Sequence, residues 1–118
     1  MLFRVAIAGP VDARAYARAR DHCDYLLGAR RATDIVIVAP HNEGRESFGE
    51  RYAADRGYAL DRVPLESAQH GSTAEPQRMR RLCESADAVI VVGAAWPGRH
   101  ALTFWARERG LAIREVDV

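Results

Sequence analysis

Apolar runs and segments of helical periodicity alternate along the whole chain, and this alternation restricts the possible folds more than any other feature. Five runs rich in apolar and β-branched residues predict strands at 2–8, 34–39, 58–63, 87–92 and 111–116. The segments between them predict helices at about 13–28, 46–56 and 76–85, and a fourth that follows the 93–99 loop and ends at Arg109. Strands that are apolar on both faces and alternate with helices form a parallel sheet with helices on both sides.

The predicted fold is therefore α/β: a single doubly wound Rossmann-like domain over residues 1–118, with about four helices. Right-handed crossovers favour a five-stranded parallel sheet in the order 3-2-1-4-5. Local signals set the expected boundaries. Asp12 should cap the first helix, Pro40 should end the second strand, and Pro76 should lie in the first turn of the third helix.

The charged residues exclude several classes of function. The 118 residues carry a formal net charge of +1, and all 17 positions counted as Lys or Arg are Arg. Without Lys the chain has no Schiff-base chemistry, no attachment point for pyridoxal phosphate and no phosphate-loop lysine. The interspersed, nearly balanced charges also argue against a nucleic-acid partner.

Hydropathy and cysteine usage indicate a cytoplasmic protein. No apolar run approaches the ~20 residues of a membrane span, and the opening residues are too short and wrongly flanked for a secretory signal. Cys23 and Cys83 lie in helical patterns without CxxC or Cys/His spacing, which favours buried reduced thiols over a disulfide or a metal site. We expect no cofactor, no metal and no membrane partner.

The topology nominates three loops as a ligand site. Ligands of doubly wound sheets bind beyond the carboxyl ends of the strands, where the strand order reverses between the first and fourth strands. The loops at 9–12, 41–46 and 93–99 meet there in the predicted fold. The candidate ligand-binding residues are Gly9, Pro10, Asp12, His41, Asn42, Gly44, Arg45, Arg78, Gly93, Pro97, Gly98 and Arg99.

The 93–99 loop joins a strand to a helix, so its N–H groups and the helix N-terminus offer an anion site, with Arg99 as a bidentate phosphate partner. The alternative is an ordinary turn in which Gly and Pro serve only the backbone. Side chains of the 41–46 turn could contact a ribose or a base, although a polar turn is often only solvated. Arg78 should open the third helix and point into the same crevice, whereas Arg80 and Arg81 should lie on a solvated face.

Aromatic residues and histidines give weaker signals. Trp96 beside the glycine loop could stack on a base or pack in the core, and Phe104 and Trp105 should be packing residues. His70 and His100 should flank the crevice, with surface or capping roles as the alternative to catalysis.

Nucleophilic catalysis finds little support, because there is no GxSxG and no Ser has an obvious His and acid partner. The carboxylates of Asp12, Glu43 and Glu46 remain candidates for cleavage of a glycosidic bond, provided that burial shifts a pKa.

The order of these motifs resembles the SLOG superfamily, the Rossmann-like group that includes the Lonely-guy phosphoribohydrolases and the DNA-processing protein A domain. It is most similar to the small YspA-like branch. Residues 9–12 (GPVD) stand at that branch's GxRD motif, 40–46 (PHNEGRE) at its GGARGAD motif and 49–53 (GERYA) on its next helix. Residues 76–82 (PQRMRRL) match PxRNxxM at the Pro and the Arg, and 97–99 (PGR) stand at the GGxGT loop.

The resemblance implies a SLOG-like domain over 1–118 that binds a nucleotide or a nucleotide-derived signal such as an ADP-ribose derivative. The Lonely-guy enzymes would also imply a phosphoribohydrolase whose Glu follows the PGGxGT motif, but Leu102 occupies that position here.

Three hypotheses follow. The first is a sensor or sequestering module for a nucleotide-derived small molecule, in which Arg45, Arg78 and Arg99 converge on one crevice beside Gly9 and Gly98. The second is an N-glycosidase for nucleoside monophosphates that uses Glu46 or Glu43, with Glu46 as the candidate catalytic residue. The third is an interaction module that forms a homodimer and has an empty crevice.

Overall fold

A computed structural model describes residues 1–66 and 71–117 and contains one five-stranded parallel sheet. The strands are β1 (Phe3–Ala8), β2 (Ile35–His41), β3 (Ala59–Pro64), β4 (Ala88–Val92) and β5 (Ala112–Val116). The helices of the described part are α1 (Tyr16–Leu27), α2 (Phe48–Arg56), α3 (Ala74–Glu84) and α4 (Arg99–Glu108). The sheet order is β3-β2-β1-β4-β5, which confirms the predicted doubly wound topology.

Two cores lie on opposite faces of the sheet. Alternate residues of β1 point to opposite sides: Val5 and Ile7 join the core beneath α1 and α2, whereas Ala6 and Ala8 join the core beneath α3 and α4. Each fully buried aliphatic side chain contributes about 1.5–3 kcal/mol from removal of its surface from water. Burial on both faces explains why these strands read as continuous apolar runs.

The first helix begins later than predicted. Asp12 does not cap α1; its Oδ1 accepts a hydrogen bond from the Ala15 N–H at 2.9 Å and closes a turn that precedes the helix. The helix itself starts at Tyr16 without a side-chain cap. Asp12 therefore stays in the loop at the carboxyl end of β1.

The prediction that Pro40 ends the second strand is wrong. The β1–β2 pairing ends at Ala6 and Val38, while the β2–β3 pairing continues to His41 and Pro64. Pro40 thus lies where β2 has only one neighbouring strand, a position that tolerates a missing N–H. This overhang of β2 beyond its pairing with β1 forms a wall at the carboxyl edge of the sheet.

The other helices follow recognisable end signals. In α2, Ser47 and Glu50 form a reciprocal capping box, and Gly57 ends the helix with φ +72°. The third helix begins at Ala74, so Pro76 lies in its first turn as expected. No described helix is both long enough and apolar enough to cross a membrane.

Both cysteines are buried and free, which confirms the prediction of reduced thiols. Burial raises the pKa of the Cys23 thiol to about 12 and that of Cys83 to about 11. Neither thiol is ionised at neutral pH, so neither is a nucleophile in the folded protein.

Candidate functional site

A cleft of about 1260 Å³ opens at the carboxyl edge of the sheet, where the strand order reverses between β1 and β4. Three groups of predicted residues line it: the loop after β1, the turn after β2 and part of the loop after β4, joined by one face of α3. The lining comprises residues 8–12, Ala15, Pro40, residues 42–48, Glu75, Arg78, Met79, Trp96 and Pro97.

Gly9 forms part of the floor of the cleft through its backbone. Its φ is +142°, and a Cβ at this position would lie 1.8 Å from the carbonyl oxygen of Val92. Only Gly permits this approach of the β1–α1 loop to the end of β4. The loop leaves Pro10 and Asp12 facing the cleft.

The turn after β2 presents Arg45 to the cleft. Gly44 adopts φ +70°, and the Arg45 N–H donates to the Asn42 carbonyl at 3.3 Å, so residues 42–45 close a tight turn. Within the described residues the exposed side chain of Arg45 has no hydrogen bond or ion pair. It is therefore available to a ligand.

Arg78 lies in the second turn of α3 and is buried, with 5% of its side chain exposed. Its Nη1 donates to the His41 carbonyl at 3.0 Å and to Asn42 Oδ1 at 2.9 Å, and its Nη2 donates to Glu75 Oε2 at 2.7 Å. The prediction that Arg78 opens the helix is wrong, because α3 begins four residues earlier. The predicted direction is correct, since the side chain lines the cleft.

Of the two neighbouring arginines, Arg80 is exposed as predicted, whereas Arg81 is only partly exposed. Arg81 donates to Glu66 at 2.8 Å and to the Pro64 carbonyl at 2.6 Å, which ties α3 to the end of β3. Arg80 lies over the Trp105 ring at 4.8 Å. Both side chains therefore take part in tertiary packing.

Two buried donors on the cleft residues lack partners. Among the described side chains, Arg78 Nε and Trp96 Nε1 are buried without a hydrogen-bond partner, as is Arg81 Nε outside the cleft. A buried N–H without an acceptor costs about 1–3 kcal/mol. Trp96 is half-buried at the cleft wall, which leaves open the predicted contact with a base.

Glu75 is a cleft residue that sequence reasoning missed, because the third helix was expected to begin after it. A Cβ at Gly98 would lie 3.1 Å from Glu75 Cγ and 3.2 Å from Glu75 Oε1. Gly98 is the N-cap residue of α4. The carboxylate therefore lies beside the N-terminus of α4 and bonds to Arg78 at the same time.

The predicted convergence of three arginines is wrong for Arg99. Its Nε donates to the Gly93 carbonyl at 3.0 Å and its Nη2 pairs with Glu115 Oε1 at 2.6 Å. This ion pair directs the guanidinium toward β5. Arg99, Gly93 and Gly98 are absent from the described lining of the cleft, although Pro97 belongs to it.

Of the candidate histidines in the described part of the chain, neither His41 nor His100 belongs to the lining. His41 is the last residue of β2, and its side chain points to α2, where Nδ1 lies 2.8 Å from Glu50 Oε2. His100 is exposed in the first turn of α4. His70 lies outside the described residues.

Glu50 holds the end of β2 to α2 and β3. It is 4% exposed and accepts hydrogen bonds from the Ser47 N–H at 2.9 Å, from His41 at 2.8 Å and from Arg62 Nε at 2.8 Å. Burial opposes ionisation of the carboxyl, but these hydrogen bonds outweigh it and lower the pKa of Glu50 to about 2. The network fixes the wall from which Asn42 and Arg45 project.

The cleft lining carries more negative than positive side chains, whereas the whole chain has a formal net charge of +1. The carboxylates of Asp12, Glu43, Glu46 and Glu75 line it, against the guanidinium groups of Arg45 and Arg78. Since Arg78 is paired with Glu75, Arg45 is the one cation of the described lining whose side chain has no partner. This arrangement provides several hydrogen-bond acceptors and a single free guanidinium.

The chain was compared with models of protein families and with curated proteins. It matches no family model and no curated protein.

Proposed function

We propose that this chain binds a nucleotide or a nucleotide-derived ligand, ADP-ribose-like in containing ribose and phosphate, as a sensor or sequestering module. The observation that carries the proposal is the cleft of about 1260 Å³ at the reversal of strand order, lined by all three loops that the topology nominated. Doubly wound sheets bind their ligands at this point. The volume exceeds the ~300–1,000 Å³ of small-molecule sites, so a ligand with base, sugar and phosphate has room.

The side chains at the cleft suit the three parts of such a ligand. Carboxylates at Asp12, Glu43 and Glu46 can accept hydrogen bonds from ribose hydroxyl groups. The free guanidinium of Arg45 can hold a phosphate in a bidentate arrangement. The ring of Trp96 offers an apolar face for a base, and the buried Nε1–H at its edge lacks an acceptor.

Thermal unfolding with a panel of nucleosides, nucleotides, ADP-ribose and cyclic nucleotides at millimolar concentration tests the proposal. A ligand present at 100 times its Kd stabilises the folded state by about 2.7 kcal/mol, which is a shift of several degrees for a domain of this size. Trp96→Ala should reduce the shift, whereas Phe104→Ala, an exposed aromatic residue outside the cleft, should retain it. A panel without any stabilising compound would overturn the proposal.

A second candidate function is cleavage of the N-glycosidic bond of a nucleoside monophosphate. The observation that favours it is that Glu43 and Glu46 in the turn after β2 and Asp12 in the loop after β1 line the same cleft. A carboxylate near the ribose can stabilise the positive charge that develops in the transition state. Release of free base that is abolished by Glu46→Gln would support this role, and unchanged turnover in that variant would remove it.

A cytoplasmic location and a homodimer complete the proposal. Size-exclusion chromatography with light scattering measures the oligomeric state, and a dimer combined with a negative ligand screen would favour an interaction module instead.

A further inference from the structure

We propose that the carboxylate of Glu75, which pairs with Arg78 and lies beside the N-terminus of α4, excludes a ligand phosphate from this end of the cleft. The inference rests on the proposed function and specifies how the ligand is oriented. The nucleoside part lies toward Trp96 and Arg78, and the phosphate lies toward Arg45.

The first support is the position of the carboxylate. A Cβ at Gly98, the N-cap residue of α4, would lie 3.2 Å from Glu75 Oε1, so the carboxylate lies beside the helix N-terminus although it makes no capping hydrogen bond there. A helix N-terminus attracts one negative group through its first N–H groups. A second anion at the same place would be repelled by the carboxylate already there.

The second support is the state of the cations nearby. Arg78 Nη2 donates to Glu75 Oε2 at 2.7 Å, and its Nη1 donates to the His41 carbonyl and to Asn42 Oδ1. Three of the five N–H groups of this guanidinium therefore have acceptors, and the buried Nε–H is one of those without. Arg99, the cation of the α4 N-terminus, is paired with Glu115 and bonded to the Gly93 carbonyl. Each guanidinium is therefore already paired with a carboxylate of the protein.

The buried N–H groups indicate what does bind at this end. Arg78 Nε and Trp96 Nε1 each provide a single buried N–H without an acceptor, on two residues that line the cleft. Single N–H donors suit the carbonyl or ring-nitrogen acceptors of a base. A fully charged phosphate would instead require several donors to replace its water shell.

The experiment uses inorganic phosphate as the probe and the backbone N–H signals of residues 98–101 in two-dimensional NMR spectra as the readout. In the unmodified protein these signals should not move at phosphate concentrations up to several millimolar. In Glu75→Gln they should move, with a phosphate dissociation constant at least about tenfold lower, because the repelling charge is gone and Arg78 is released from its ion pair. Glu43→Gln, which removes the same charge from the turn after β2, should leave these signals unchanged.

Two results would overturn the inference: movement of these signals in the unmodified protein, or equal phosphate affinity of the Glu75→Gln and Glu43→Gln variants. If Glu75→Gln does not fold, Glu75→Ala takes its place. The spectra of the unmodified protein test the inference without either variant, because its signals should not move. Adenosine and adenosine 5′-monophosphate are titrated in parallel. Absence of binding by every nucleoside and nucleotide contradicts the proposed function, whereas nucleotide binding with the phosphate at residues 98–101 contradicts only the role of Glu75.

Discussion

The Cα of Gly9 lies so close to the backbone of Val92 that a Cβ at Gly9 would be 1.8 Å from the Val92 carbonyl oxygen. Gly9 follows β1, and Val92 is the last residue of β4. The two strands are neighbours in the sheet, and the cleft opens at their ends. The floor of the candidate site is therefore made by backbone contact, which leaves no room for any side chain at Gly9.

Gly9→Ala should be strongly destabilising. The clash is with a backbone atom, so either β4 or the loop must move, and φ +142° is itself unfavourable for an L-residue. We expect a loss of about 3 kcal/mol or more in the free energy of unfolding, measured by urea denaturation. Gly110→Ala is the matched control, because Gly110 has φ +67° but no atom within 4 Å of the added Cβ. It should lose only about 1 kcal/mol, and equal losses would contradict the steric explanation.

Arg78→Met should lower stability far more than Arg80→Met. Truncation at Arg78 leaves the partly buried Glu75 carboxylate and the His41 carbonyl without their donor, at an expected cost of about 3–5 kcal/mol. Arg80 is half-exposed and pairs with Glu84 at 3.4 Å, so its loss should cost about 1 kcal/mol or less. Chemical denaturation of both variants gives the comparison, and similar midpoints would show that the buried arginine does not hold α3 to the β2 wall.

Stability should fall in acid because of Glu50. The pKa of this carboxyl is about 2 in the folded protein against an ordinary 4.5, so the unfolded state takes up the proton first. The contribution is complete above about pH 4.5 and is lost as the pH falls toward 2, with a total of about 3 kcal/mol. Asp24 acts in the same direction. Burial alone would raise the pKa of its carboxyl, but hydrogen bonds from Arg56 and Tyr52 outweigh burial, so the pKa is lowered.

Glu50→Gln tests this pH dependence. The variant should be less stable than the parent at pH 7, and the difference in the free energy of unfolding should shrink as the pH approaches 2. Urea denaturation at intervals of pH measures the two curves. Parallel curves over the whole interval would show that Glu50 is not the group responsible.

Arg45 and Arg99 should differ in their effect on ligand binding. Arg45→Gln removes the unpaired guanidinium of the cleft and should weaken a phosphate-bearing ligand by about tenfold, the value of one charge-assisted hydrogen bond. Arg99→Gln removes a guanidinium that is paired with Glu115 and should leave affinity unchanged. Calorimetric titration of both variants measures the two effects, and a larger loss of affinity at Arg99 would contradict a phosphate site at Arg45.

The fold was predictable because its causes are local and repeated. Apolar runs on both faces of β1, β2 and β4 required a covered parallel sheet, and the handedness of crossovers left few strand orders. The predicted end of β2 at Pro40 was wrong because the missing N–H of a proline disrupts a strand mainly where that strand has neighbours on both sides. Whether β1 reaches that far depends on the register of β1 with β2, which no local signal encodes.

The site was predictable only in its location. The loops at 9–12 and 41–46 meet at the cleft because the topology brings them there. The direction of Arg99 depends on Glu115, which belongs to β5 and becomes its neighbour only in the folded chain. Glu75 was overlooked because the third helix was expected to begin after it, and Gly98 becomes its neighbour only when α3 packs against the loop before α4.

The strand order also has a consequence for how the chain is synthesised. β1 leaves the ribosome before the other strands, yet it occupies the centre of the sheet, and the register pairs its Val5 with Ala88 of β4. Strands β2 and β3 can join one edge of β1 as soon as they emerge, but the other edge stays unpaired until β4 has been made. An unpaired apolar strand edge is a point of association with other chains. We therefore expect nascent chains stalled before β4 to require chaperone protection that the completed domain does not.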